Sequence, residues 1–160
     1  MPYSEVQVIM LDVPAASLCA KPYPGHPKGC PNLGKKDGCP PRVVPIDQRL
    51  DLSRPVFAIY NSFDMAEHAG RMRDAHPQWS DRQLRCCLYW QPAARRALRA
   101  EIRLFHRHLP GMTVIECPEA CGVNVTATME TCGIYLEWPP VEYARQVVLA
   151  GEAKLAGRQA

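Results

Sequence analysis

The sequence predicts an α+β fold: one domain over residues 1–160, with a small mixed β-sheet, helices packed on one face, and long cysteine-bearing loops at one sheet edge. Three observations carry this expectation. Short apolar runs of strand length stand at Glu5–Val13, Val56–Tyr60 and Met112–Glu116. A long amphipathic helix is written into the middle of the chain, with Leu98, Ile102, Phe105 and Leu109 on one stripe. Between the first two strands lies Cys19–Pro41, CAKPYPGHPKGCPNLGKKDGCPP, with three cysteines, six prolines and four glycines in 23 residues. No helix or strand runs through that density of Pro and Gly, so the segment is a long loop.

Taken in order, Glu5–Val13 alternates through Val6, Val8 and Met10, thickened by Ile9 and Leu11, and Pro14 ends it. Arg42–Arg54 is irregular, punctuated by Pro45 and Pro55. Val56–Tyr60 is an inner strand. Asp64 caps a helix, with Glu67 three residues on as a capping box requires; it runs to about His76, and Pro77 stops it. Ser80 opens a second helix, with Gln83 in the matching place and Leu84, Cys87 and Leu88 on one face. Pro92 kinks or breaks it, and it resumes to Leu109, where Pro110-Gly111 terminates it. Met112–Glu116 is a strand. Val123–Thr128 alternates and is β-branched, hence strand or extended loop. Ile134–Trp138 is a further strand candidate, Val141 to about Leu155 a closing helix, and the last residues fray. Each cysteine group follows a strand, Glu5–Val13 or Met112–Glu116. If those strands are parallel neighbours, both groups emerge at the same sheet edge.

A chain of 160 residues, 47% hydrophobic, can bury a sizeable core. Its net charge of +3, from 19 basic and 16 acidic residues, is too mild to argue for nucleic acid by itself. No stretch is long and apolar enough to be a membrane helix, and the N-terminus lacks the basic start and cleavage site of a signal peptide. These features point to a cytoplasmic protein. In a reducing compartment, eight cysteines are read as metal ligands before disulfides. Cys86 and Cys87 are the exception, because one of two neighbours on a helix usually faces the core.

The other six fall into two triads, Cys19-x10-Cys30-x8-Cys39 and Cys117-x3-Cys121-x10-Cys132. Neither contains the short CxxC of zinc ribbons, nor the close run of bacterial ferredoxins. Cys30, Cys39 and Cys117 are each followed by proline, which withholds an N–H beside the sulfur. Gly29, Gly38, Gly122 and Gly133 flank the candidates and let backbone amides approach an anionic centre. The leading expectation is an iron–sulfur (4Fe-4S) cluster. Three thiolates on a cubane would leave one iron open to a substrate. Zinc is the alternative, held by four thiolates or by three with His26, although His26 is read first as a solvated loop histidine. Lys28, Lys35 and Lys36 place positive charge beside the first triad.

The motif PYPGHPKGCPN followed by CPP, with the later Cys132-Gly133-Ile134 and Pro139-Pro140, resembles a poorly characterised prokaryotic family of small cysteine-rich proteins described only as predicted metal-binding. The match covers about a quarter of the chain. The resemblance implies Cys30, Cys39, Cys121 and Cys132 as ligands, with Cys19 and Cys117 next. The three-cysteine logic is also similar to that of the thiouracil desulfidases, in which an open iron binds the substrate's sulfur. Sulfur chemistry on a small molecule and electron transfer to a redox partner are therefore the functions to test.

Arg96, Arg99, Arg103 and Arg107 lie almost opposite the apolar stripe. Such a stripe is read first as a solvated helix face and second as a contact for a nucleic-acid phosphate backbone or an acidic partner. The alternative to the iron–sulfur reading is thus a zinc-stabilised binding module that uses this face. His68, His76, His106 and His108 lack ligand-like company and are read as surface residues, and Trp79, Tyr89 and Trp90 as core or rim packing. Glu116, Glu119 and Glu130 flank the second triad. There is no P-loop, dinucleotide fingerprint or GxSxG.

Overall fold

The computed structural model describes residues 2–23 and 26–154. Pro24 and Gly25 of the proline-rich motif, Met1, Leu155 at the end of the expected closing helix, and the last residues, expected to fray, lie outside the described residues. The elements are β1 (Tyr3–Val6), α1 (Ala15–Cys19), β2 (Val56–Tyr60), β3 (Phe63–Asp64), α2 (Met65–Ala75), α3 (Asp81–Leu84), α4 (Cys87–His108), β4 (Thr113–Ile115), α5 (Val125–Glu130), β5 (Tyr143–Ala144) and β6 (Val147–Gly151), with a 3-10 turn at Ile46–Gln48. The fold is α+β, as expected.

The sheet is antiparallel rather than mixed, in the order β1-β2-β6-β4. Ile59 of β2 faces Tyr3 on one side and Val148 on the other. β1 and β4 are therefore the two edge strands, not the parallel neighbours on which the meeting of the cysteine groups was premised. The strand between β2 and β4 comes from the C-terminal stretch, where a closing helix was expected. Val147–Gly151 is a continuous apolar run, and periodicity alone cannot separate a buried central strand from a buried helix. Here β2 and β4 both pair with it, and Val148, Leu149, Ala150 and Gly151 are buried.

The two faces follow from the period-two alternation of the strands. Phe57 and Ile59, Val148 and Ala150, and Val114 turn to α4, where they meet Leu98, Ile102, Phe105 and Leu109. Phe105 is fully buried, with Tyr3 edge-on at 5.1 Å. Val6, Val56, Ala58, Ile115 and Leu149 turn the other way, onto Ile46, Leu50, Val123, Val125 and Met129. The second face is thus covered by α5 and the 3-10 turn, so the helical cover is not confined to one face. Asn61 pins the first layer, donating from Nδ2 to Ala94 O at 2.7 Å and accepting at Oδ1 from Gln146 N at 2.9 Å.

Helix starts are as expected. Asp64 accepts from Glu67 N at 2.7 Å, and Ser80 and Gln83 form a reciprocal capping box. The break in the helical region falls at Arg85–Cys86, ahead of Pro92, which α4 accommodates close to its start. That placement leaves Leu88 exposed, so only Leu84 of the expected face is buried. Cys86 is half-buried and Cys87 exposed; neither faces the core. Trp90 packs on Phe63 with ring centroids 5.5 Å apart and donates to Arg85 O at 3.2 Å. Residues 125–130 are helical despite their β-branched sequence, because the Asn124 side chain accepts from Ala127 N at 3.1 Å and starts a turn that buries Val125 and Met129. Ile134–Trp138 forms no strand.

His68, expected at the surface, is buried on α2 beside Phe63, and its Nε2 has no hydrogen-bond partner among the described residues. Burial, and then the Arg71 charge, hold its pKa below the ordinary 6.5, with the Leu84 backbone opposing the shift. Folded chains therefore bind this proton less readily than unfolded ones. Stability is expected to be level above about pH 6.5 and to fall as the pH drops below it, by up to about 1 kcal/mol per pH unit. Urea midpoints at pH 7.5 and 5.5 test this. His68→Gln should flatten the difference, and an unchanged slope in that variant would remove His68 as its source.

Candidate metal centre

The Cys19–Pro41 loop is held by its own backbone. Pro14 leads into α1, a single helical turn that ends on Cys19. Cys30 N donates to Cys19 O at 2.7 Å, so the first two cysteines are clamped together. Gly29 makes the clamp feasible. Its φ is +79°, and a Cβ there would stand 2.6 Å from Cys19 O and 2.8 Å from Ala20 C and O. The distal half of the loop closes by Gly34 N to Pro40 O at 2.9 Å and Cys39 N to Lys36 O at 3.1 Å. Cys39 O then accepts from Arg42 N and Val43 N, at 3.0 and 3.2 Å, which fixes the exit.

The second group reaches this loop by a route that does not use the sheet. Beyond β1 the chain continues as an extended tether. Met10 forms a bridge with Val123, Leu11 N donates to Gly122 O at 2.8 Å, and Asn124 N donates to Ile9 O at 2.8 Å. From the other side Ile46 N donates to Cys121 O at 3.0 Å. The turn Cys117–Gly122 is thus stitched to the chain on both flanks of the cysteine loop. Gly122, at φ +88°, lies with its Cβ position 3.4 Å from Met10 Cε.

The thiols register this arrangement electrostatically. The Cys19 pKa is raised by burial and then by Cys30 and Cys39. The Cys117 pKa is raised by desolvation of the sulfur, then by Glu119, Cys39, Glu116 and Cys121. Cys39 is the member common to both sets. Without a positive centre beside them, Cys19 and Cys117 are held in the neutral thiol form more firmly than an ordinary cysteine.

The six candidates separate by their partners. Among the described residues, the sulfurs of Cys19, Cys30, Cys39 and Cys117 have no hydrogen bond to protein. Cys121 is buried, and Arg49 donates to its sulfur at 3.8 Å. Cys132 donates its S–H to Met129 O at 3.1 Å and packs against the core beneath α5. Cys30 and Cys39 act electrostatically on Cys19, Cys39 and Cys121 act on Cys117, and the Cys132 thiol is hydrogen-bonded to Met129 O. Among the described residues no three His, Cys, Asp or Glu side chains stand in the geometry that ligates a single metal ion. His26 exchanges backbone hydrogen bonds with Tyr23 and is exposed, as a loop histidine would be.

An open, largely apolar cleft of about 390 Å³ adjoins the site, lined among others by Met10, Val13, Pro40, Val43 and Cys121. Sequence reasoning did not find it. Its walls come from the tether after β1 and the turn before α5, segments far apart in the chain. Among the described residues no helix is long and apolar enough to cross a membrane. No family model matches the sequence, and neither a curated protein nor a solved structure matches it significantly.

Proposed function

We propose that the protein binds an iron–sulfur cluster through Cys19, Cys30, Cys39 and Cys117. The observation that carries this reading is the position of Cys39, whose thiol lies within electrostatic reach of Cys19 in its own loop and of Cys117 in the other. A cluster takes each thiolate on a separate iron, whereas a zinc ion needs each sulfur about 2.3 Å from a common point. The glycines and prolines around the thiols supply close amides and dry edges, the environment that sets a cluster's potential.

Four neighbouring thiols match the four corners of a cubane. This favours electron transfer or a structural role over chemistry at an open iron, and it changes the order of ligands that the family resemblance implies. Cys121 with Arg49 is the reserve: if it replaced one of the four, the centre would face the cleft, where a small-molecule substrate would sit. Zinc on the same four thiolates is the competing occupant.

Iron, zinc and acid-labile sulfide content, with the visible spectrum, of protein purified without oxygen tests the proposal. About four irons and four sulfides per chain is the expected result. Zinc without sulfide would replace the cluster reading with the structural-module one, and no metal at all would overturn both.

A further inference from the structure

We propose that the outward face of α4 binds the sugar-phosphate backbone of a single-stranded nucleic acid. The helix carries five arginines against one glutamate. Glu101 does not offset them on the outer face, since its Oε2 is buried. Arg96, Arg99, Arg103 and Arg107 are all exposed. Elsewhere four exposed arginines have acidic partners, Arg42 with Asp37, Arg54 with Glu152, Arg71 with Glu67 and Arg73 with Asp81, while Arg82 stands without one among the described residues. Among the described residues none of the four on α4 has an acidic partner.

Their spacing of three, four and four residues places them in one file on the surface opposite Leu98 and Phe105. The file is about 16 Å long at the helical rise. A line of one sign, with no acid interleaved, complements a polymer that repeats one charge along its length. An acidic protein partner would more often be met by mixed signs and apolar anchors. Tyr89, two turns before Arg96 on the same side, is half exposed, and Trp79 lies beside it with ring centroids 5.2 Å apart. An aromatic platform at the end of a basic track is what an unpaired base stacks on, and it selects a single strand over a duplex. The face belongs to α4 alone and does not depend on what the thiols hold.

Fluorescence polarisation with a labelled oligothymidylate of about 20 nucleotides tests the proposal on the full chain. The expected result is binding whose logarithm falls with log salt at a slope of about −3, as four phosphate contacts require. Each Arg→Gln change at 96, 99, 103 or 107 should reduce that slope by about 0.7, and the quadruple change should weaken binding on the order of a hundredfold. Arg71→Gln with Arg73→Gln should leave both unchanged, and circular dichroism verifies that the variants fold. No binding, or binding that the quadruple variant keeps, would overturn the proposal. So would equal affinity for a duplex of the same length, or preference for an acidic peptide or anionic vesicles at matched salt.

Discussion

Cys39→Ser is expected to leave a folded chain that has lost its metal. Serine keeps the shape of the side chain and the backbone bonds of the loop, including Cys39 N to Lys36 O and the two amides that Cys39 O receives. What it removes is the thiolate that stands between the two groups. Structural zinc sites in finger peptides bind with about 10–16 kcal/mol in total, and on that scale losing one of four ligands is expected to cost on the order of a hundredfold in affinity or more. The sharp comparison is with Cys132→Ser. That thiol is committed to Met129 O and to packing beneath α5. The variant should therefore retain a full complement of metal while losing about 1 kcal/mol of stability. Metal content of the two proteins, prepared side by side without oxygen, decides the matter. Full occupancy in Cys39→Ser, or loss only in Cys132→Ser, would refute the ligand set.

Gly29→Ala is expected to destabilise the chain by about 2–5 kcal/mol and to open the metal loop. Two costs add. An L-residue with a side chain in the left-handed region is penalised by roughly 1–2 kcal/mol. The new Cβ would also meet Cys19 O and the Ala20 carbonyl at 2.6–2.8 Å, and overpacking against groups that cannot swing aside costs about 1–3 kcal/mol. Gly34→Ala isolates the first cost. Gly34 has φ +72° and nothing within 4 Å of its Cβ position, so only the backbone penalty applies. Urea denaturation of the two variants should place Gly29→Ala clearly below Gly34→Ala. Because the clash falls between Cys19 and Cys30, Gly29→Ala should also lower metal content, and Gly34→Ala should not. Equal effects would mean that the close approach of Gly29 to Cys19 is not what orders the loop.

Local chemistry explains which elements were legible. Asp64 and Ser80 announced their helices because a capping side chain acts on amides two or three residues away. Val56–Tyr60 and the strand at 113–115 were legible from short apolar runs between turn signals. The misreadings have one form: a local pattern with two solutions was settled by distant partners. Val147–Gly151 became a strand because β2 and β4 offer it ladders on both sides. Residues 125–130 became a helix because Asn124 caps it and because a hydrophobic floor at Val6, Val56 and Leu149 receives Val125 and Met129. His68 was read as a surface residue because burial depends on Phe63 and on α3, neither of which its own neighbours in sequence reveal.

The sequence by itself determined the cysteine-rich loop and its inability to be helix or strand, the amphipathic division of α4, and the identity of the six thiols worth considering. These follow from residue type and spacing within a few turns of chain. Only the tertiary structure decided which thiols are neighbours. Cys117 comes within electrostatic reach of Cys39 with the tether after β1 exchanging backbone hydrogen bonds with residues 122–124, and without β1 and β4 running side by side. The Cys132 thiol donates to Met129 O at the end of α5. The tether contacts form between segments more than a hundred residues apart. They are fixed by the pairing of backbone groups and the filling of a shared core, and no spacing within either cysteine triad encodes them.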